Sequence, residues 1–291
     1  MANPLLPTDG THELQERYAS AIVALKRKQL VVRGLFGRDY EGDPKAGAVQ
    51  IPKRNTEVAV GAYNVQTGKA LTFGATEYIK VLVDQDKAVN ELIDKYEAAA
   101  VPDNVVAQRI DSAAYSLGLV QEQYAISVLE ATITVESSTA KLTTDNAYTS
   151  IVNTIKELKK LGITPDMMKI VISPDTEATL LADVKYANSA SQIGAELLRE
   201  GIINKIVGVP VYMSANLLDE GDTAGDDKVE YLVFCPQWAQ TVEDWAVLPA
   251  INDLKDGVHI GASALQGRIV YKDTLLDVLT CRKKIYTVPS E

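Results

Sequence analysis

PDNVVAQRIDSAAYSLGLVQEQYAISVLEA, residues Pro102 to Ala131, is the stretch whose reading decides the fold. It predicts one long helix. Proline is tolerated in a first helical turn, and Asp103 can accept from the orphan amides there. Val106, Ile110, Ala113, Leu117, Val120, Tyr124 and Val128 recur at steps of three and four, which predicts one apolar stripe. At 1.5 Å per residue the rod is roughly 40 Å long, the span of a small domain. Gly118 costs about 1 kcal/mol relative to alanine in mid-helix, so packing must hold that turn. Either the chain's own core or another chain must cover the stripe.

Upstream, Leu14, Tyr18, Ile22 and Leu25 predict an amphipathic helix over residues 12 to about 30. Gly34, Gly37, Gly42, Pro44 and Gly47 then read as a flexible connector, so this helix stands apart and finds its apolar partner elsewhere. Residues 48 to 83 change to a period of two: Val49 and Ile51, Val58 and Val60, Leu71 and Phe73, then Ile79, Val81 and Val83. They predict two long antiparallel arms about a turn near Thr67-Gly68. An isolated hairpin is marginal in water, so it lies either within its own domain or over a neighbour. Residues 84 to 98 read as a short helix or turn.

Downstream, residues 133 to 143 are extended. Thr144 or Asp145 caps a helix carrying Tyr148, Ile151, Ile155 and Leu158, stopped by Gly162 and Pro165. Met168 to Ile172 is a short buried strand, and Ser173-Pro174-Asp175 caps the next helix. A short helix, AELLREG, ends at Gly201, and Ile202 to Ser214 gives two strand runs about Gly208 and Pro210. Val229 to Cys235 is another strand. Trp238, Val242 and Trp245 fall at helical spacing, and residues 246 to 288 return to strands. Alternating helix and strand over 145 to 235, between extended flanks, suggests a compact mixed domain inserted into an elongated α+β one.

The chain has 291 residues and a net charge of −10, which argues against a dedicated DNA-binding protein. Charge is uneven. Arg17 to Arg54 holds nine basic and three acidic residues, whereas DEGDTAGDDKVE, from Asp219, is acidic. Solvated surface accounts for both runs in the simplest reading. No run of about 18 apolar residues occurs, so no membrane-spanning helix is expected, and the N-terminal residues lack the pattern of a secretory signal. Cys235 and Cys281 each lie in an apolar strand run and read as two buried thiols. His12 and His259 have no metal-ligand spacing, and no nucleophile elbow or phosphate-binding glycine loop is present. Carboxylate pairs such as Asp226-Asp227 sit among polar residues, where nothing raises a pKa. The expectation is no catalytic residue, no cofactor, no metal and no enzyme.

The order of parts resembles the major capsid protein of tailed bacteriophages, the Hong Kong 97 fold. YASAIVALKRKQLVVRGLF looks like its N-terminal arm, and AVQIPKRNTEVAVGAYNVQTGKALTFGATEYIKVLVDQ looks like its extended loop. Pro102 to Ala131 looks like the spine helix. DNAYTSIVNTIKELKKLGITPDMMKIVISPDTEATLLAD followed by ELLREGIINKIVGVPVYMSANL looks like the axial domain, and GRIVYKDTLLDVLTCRKKIYTV like the closing strands. The resemblance implies an arm and connector over 1–46, a hairpin over 47–83 and a peripheral domain over 84–142 with the spine helix at 102–131. It further implies an axial domain over 143–243, peripheral return strands over 244–275 and an axial closing strand over 276–291.

The family's implication is a shell protein. Copies form hexamers and pentamers of an icosahedral virion capsid around double-stranded DNA, assembled in the host cytoplasm. Subunit interfaces are expected at Leu14, Tyr18, Ile22, Val58, Val60, Leu71 and Phe73. Lys26, Arg27, Lys28 and Arg33 are expected to face DNA through phosphate charge alone. Partners are the chain itself, a separate scaffold, a portal and a capsid protease, with no membrane. No large scaffolding segment precedes Thr11, hence the separate scaffold or a removed segment. Lys69 lies near the hairpin tip, where some family members crosslink, but no matching partner residue is identifiable and crosslinking is not carried over. Two alternatives stay open: an encapsulin-like nanocompartment shell with the same architecture, and an intracellular α/β enzyme built on 145 to 235.

Overall fold

The computed structural model describes residues 26–39, 47–54, 57–71, 74, 76–94, 103–138, 140–183, 205–255, 257–258 and 262–290. The described strands form three sheets. Strands β1 (Ala48–Arg54) and β2 (Thr76–Leu82) pair antiparallel, with Ala48 opposite Leu82 and Arg54 opposite Thr76. Strand β3 (Gln85–Asp94) lies beside β10 (Ala262–Leu275), which pairs in turn with β9 (Ala239–Asp253), all antiparallel. The third sheet has six strands in the order β4 (Ile133–Ser138), β11 (Cys281–Thr287), β8 (Asp227–Phe234), β5 (Lys169–Ile172), β7 (Val209–Met213), β6 (Lys205–Ile206). Helix α1 (Asp103–Glu130) runs between the second and third sheets, while α2 (Ala147–Lys160) and α3 (Pro174–Leu181) pack on the third. The fold class is α+β.

The six-stranded sheet is buried on both faces, and strand alternation explains how. Ile170, Ile172, Tyr231, Val233 and Cys235 point to one side, against Ile151, Ile155 and Leu158 of α2 and Leu180 of α3. Val171, Leu232 and Phe234 point to the other, against Ala125, Ile126 and Leu129 of α1. Central strands therefore read as continuous apolar runs rather than alternating ones. Cys235 and Cys281 fall in the cores on opposite faces, so they cannot form a disulfide with each other without rebuilding the sheet. Ser173 caps α3, its Oγ accepting from the Thr176 amide, with Asp175 and Glu177 in the first turn.

Helix α1 departs from the single stripe expected of it. Its first half packs Ile110, Ala113 and Leu117 on the three-stranded sheet, against Leu265, Ile269 and Tyr271. Its second half turns Ala125, Ile126 and Leu129 to the six-stranded sheet, and Val120 is left 38% exposed. Gln121 and Glu122 are buried between the two apolar faces, at 2% and 1% exposure. The helix bridges two cores, and one stripe cannot serve both. Its C-terminal carbonyls are held from outside: the Lys283 ammonium donates to the Glu130 carbonyl, placing positive charge at the negative end of the dipole.

Two expectations are corrected. Residues 85–94 form a strand, not a helix or turn, because ten residues of β3 pair with β10 from Tyr271 to Ala262. The helix-like spacing of Val89, Leu92 and Ile93 is outweighed by that ladder. Trp238, Val242 and Trp245 are not helical either; Trp238 sits in the turn before β9, and Val242 and Trp245 lie within the strand. The segment AELLREG and residues 12–25 of the expected first helix lie outside the described residues, while 26–32 are not helical.

Leu129 has no exposure and joins α1 to the six-stranded sheet. Leu129→Ala is expected to lower unfolding free energy by about 2–5 kcal/mol in urea titration, the range for a large-to-small change at a packed site. A change under about 1 kcal/mol would show that the helix is not seated there.

Candidate functional site

Residues 26–39 form a strap that lies along α1, without regular secondary structure up to Val31 and wound into a short 3-10 turn over Arg33–Leu35. Arg27 pairs with Asp111 at 2.5 Å and covers the Tyr115 ring at 4.9 Å. The Tyr115 hydroxyl donates to the Lys28 carbonyl at 3.0 Å. Leu30 crosses Gly118, where a Cβ would meet its Cδ1 at 2.9 Å. Three successive amides, of Val31, Val32 and Arg33, donate to the Glu122 carboxylate at 2.9, 2.8 and 2.9 Å. Helix positions 111, 115, 118 and 122 share one face, spanning about 16 Å at 1.5 Å per residue. Five extended residue steps cover the same length. Gly118 is thus where the Leu30 side chain reaches over the helix backbone.

Beyond Glu122 the strap reaches the three-stranded sheet. The Arg33 guanidinium donates to Gln121 Oε1 at 2.8 Å, to Thr241 Oγ1 at 3.4 Å and to Glu243, and its Nε stands 3.8 Å from Asp273. Arg38 pairs with the other Glu243 oxygen at 3.0 Å. Gly37 bridges β9: its amide donates to the Ala239 carbonyl, and its carbonyl accepts from the Thr241 amide. A Cβ on Gly37 would stand 2.4 Å from Gln240 Nε2 and 2.7 Å from the Pro236 carbonyl, so only glycine fits.

This polar joint carries perturbed acidity. Burial pushes the Asp273 carboxyl above the ordinary carboxylate range; the Thr241 hydroxyl, Arg33 and Arg38 pull it back, and Glu243 adds to the rise. Neither Asp273 oxygen makes a well-formed hydrogen bond among the described residues. Burial likewise raises Glu230, whose Oε1 accepts from the Leu142 amide at 2.7 Å while Lys284 stands 3.7 Å from its Oε2. Burial also raises both thiols, to about 12, which keeps them protonated and unreactive at neutral pH. No group of three or more His, Cys, Asp or Glu residues placed to hold a metal occurs among the described residues. No described helix is long and apolar enough to cross a membrane. The arrangement positions chain segments; it does not assemble a nucleophile, a base and an oxyanion site.

The second feature is the hairpin. The described residues between β1 and β2, 57–71 and 74, form no strand, and Asn64 closes a turn there: its Oδ1 accepts from the Gln66 and Thr67 amides while its carbonyl accepts from the Gly68 amide. Val58 is 62% exposed, Val60 97%, Val65 88% and Leu71 94%. Tyr63 and Tyr78 are exposed as well. The expected interface residues Val58, Val60 and Leu71 therefore share one protruding segment with their apolar surface uncovered. Leu14, Tyr18, Ile22 and Phe73 lie outside the described residues.

The four cations expected to face DNA separate. Lys26 and Lys28 are exposed. Arg27 is held by Asp111, and the Arg33 side chain, 12% exposed, is enclosed by Glu243 and Asp273. That is a correction for Arg33, which is an internal ion-pair partner. Glu122, Gln121, Glu243 and Asp273 are joint residues that no motif or periodicity in the sequence singles out. One signal was present: a glutamate and a glutamine set between Leu117 and Ala125, inside an apolar face.

No protein-family model and no curated protein matches the sequence. Solved structures do. A chain from Mycobacterium phage Che8 superposes with a TM-score of 0.73 at 19% identity, covering 94% of this chain and 97% of that one. A chain of the capsid structure of cyanophage P-SCSP1u gives 0.74 at 16% identity, covering 95% and 93%. One from the mature capsid of bacteriophage PhiM1 gives 0.66 at 14%, covering 93% and 91%.

Two predictions follow from the joint. Glu122→Ala leaves three amides without their acceptor and is expected to cost about 3 kcal/mol or more in urea unfolding, with Glu122→Gln costing less because one oxygen remains. Equal costs would mean the carboxylate is not the anchor. For Asp273, between the ordinary value of 3.8 and its raised folded value the folded chain binds more protons than the unfolded one, so this group makes stability fall as pH rises through that window. Asp273→Asn should flatten that part of the stability–pH curve, and an unchanged slope would contradict the assignment. At identities this low the likeness establishes architecture: end to end, the chain has the fold seen in phage capsid structures.

Proposed function

We propose that this chain is the repeating subunit of a phage major capsid, assembling as hexamers and pentamers into an icosahedral shell around double-stranded DNA. The observation that carries the reading is the hairpin. Val60 and Leu71 are almost wholly exposed on the irregular segment between strands β1 and β2. Burying such side chains is worth roughly 1.5–3 kcal/mol each, and nothing described in the chain covers them. A second copy supplies the missing cover, and repeated self-contact of this kind closes into rings and shells. The end-to-end fold likeness supports the same role.

In this reading α1 is the spine helix and the strap is the root of the N-terminal arm. Residues 47–83 are the extended loop, the three-stranded sheet is the peripheral domain, and the six-stranded sheet with α2 and α3 is the axial domain. Strand β9 runs from Ala239 to Asp253 as one piece, so the proposed division between 243 and 244 falls inside a strand that links the two domains. The role is structural rather than catalytic. Lys26 and Lys28 remain as cations for non-specific contact with DNA phosphates, and the proposed setting is the virion, after assembly in the host cytoplasm. A separate scaffold, a portal and a capsid protease complete the proposed set of partners.

Electron microscopy and light scattering of purified protein test the proposal. The wild-type chain should form closed shells or ring-like capsomers. Val60→Asp combined with Leu71→Asp should leave monomer stability within about 0.5 kcal/mol of wild type, because the sites are exposed, yet abolish shell closure. Particles unchanged by the double substitution would remove the hairpin from the interface, and a wild-type chain that stays monomeric in every buffer would remove the shell.

A further inference from the structure

The six-stranded sheet has opposite charges at its two ends. At one end, the last turns of α2 present Lys156, Lys159 and Lys160, all exposed. Arg282, near the start of β11, stands within electrostatic range of Glu157 in the same cluster. Lys160 bonds Glu157 at 2.8 Å and Lys156 reaches Asn153 at 3.4 Å, so three cations, Lys156, Lys160 and Arg282, act on one carboxylate. Favourable contact with the helix dipole accounts for lysines in the last turn; it does not account for Arg282, which comes from another element.

At the other end of β11, the loop between β7 and β8 carries Asp219, Glu220, Asp222, Asp226 and Asp227. The Asp219 and Asp222 side chains are 64% and 97% exposed, and Lys228 pairs with both. The loop is tied to the end of β11, since Thr287 Oγ1 donates to Asp227 at 2.6 Å and the Gly225 amide donates to the Val288 carbonyl. Arg282 and Thr287 are five strand steps apart, about 17 Å. That exceeds the screening length of about 8 Å at physiological salt, so the two ends do not satisfy each other within one copy.

We infer that they meet between copies: the basic corner of one subunit, Lys156, Lys160 and Arg282, packs against the acidic 219–227 loop of the next. The contact is head-to-tail, which generates a ring when the rotation closes. It rests on the shell reading and deepens it by naming the surfaces that set neighbour order around an axis. Duplex DNA is the competing occupant of the basic corner. The acidic loop favours a second copy, because a chain of net charge −10 carries both complementary surfaces at opposite ends of one rigid sheet.

Charge exchange in the full chain tests this. Lys156→Glu with Lys160→Glu, and separately Glu220→Lys with Asp222→Lys, should each raise the protein concentration needed for assembly at least tenfold. The chain carrying all four changes should return to within about threefold of wild type, since its ends are complementary again. Urea unfolding checks that each variant folds, and the milder Lys156→Gln with Lys160→Gln replaces a reversal that does not. Four changes that stay as defective as two overturn the pairing. Normal shells that lose only their DNA on reversal of the basic corner overturn it in favour of nucleic acid. A wild-type chain that never assembles overturns the shell reading and this one with it.

Discussion

A carboxylate almost wholly removed from water must be given hydrogen-bond donors or give up its charge. Glu122 is given three, from consecutive residues where the strap enters its 3-10 turn. The demand is geometric as well as energetic. Three amides on two oxygens fix the strap's register, because a shift by one residue would take donors off the buried carboxylate and leave it under-satisfied. With that register set, Leu30 falls over Gly118, Val32 enters the core beside Leu129, and Arg33 arrives between α1 and strands β9 and β10. The strap, the helix and both larger sheets are thereby fixed to one another.

The same constraint explains why the long helix does not look amphipathic in the ordinary way. It has a core on each of two sides and a polar seam between them. The seam is occupied by Gln121 and Glu122, so side chains that would face solvent on a surface helix are buried here. Protein ion pairs are costly inside unless their geometry is good, and this cluster combines satisfied groups with orphaned ones. Arg33 answers Glu243 and Gln121, while the Asp273 oxygens, beside Thr241, make no well-formed hydrogen bond among the described residues.

Local rules were enough to read much of this from residues alone. The Ser173-Pro174-Asp175 cap, the stop at Gly162, the alternation of β1 and β2 and the extent of α1 each depend on neighbours in sequence, and each is present. The misreadings share one cause. Strand β3 has a helical spacing of Val89, Leu92 and Ile93, and becomes a strand only because β10, some 170 residues on, offers it ten partners. Arg33 looked like one more cation in a basic arm. What encloses it, Glu243 and Asp273, lies more than 200 residues away, and no periodicity reports such a contact. The hairpin's exposed valines were legible as candidates because alternation marked one apolar edge, whereas the seam on α1 broke the pattern and was passed over.

The contrast between joint and hairpin bears on how such a chain is built to act. At the joint every element is tied to at least two others, so its parts are not free to rearrange one at a time. The hairpin is tied at its root by the β1–β2 ladder and at its tip by the Asn64 turn. Two strands alone are marginal in water; Ile51 and Val81 of the ladder are buried, but Val58, Val60 and Leu71 beyond it gain no cover until another surface arrives. Ordering that segment and covering it are therefore the same event, and its free energy belongs to association rather than to folding. A rigid body that withholds one apolar projection from its own core can fold alone and still favour contact with its copies, which is the division of labour a self-assembling subunit requires.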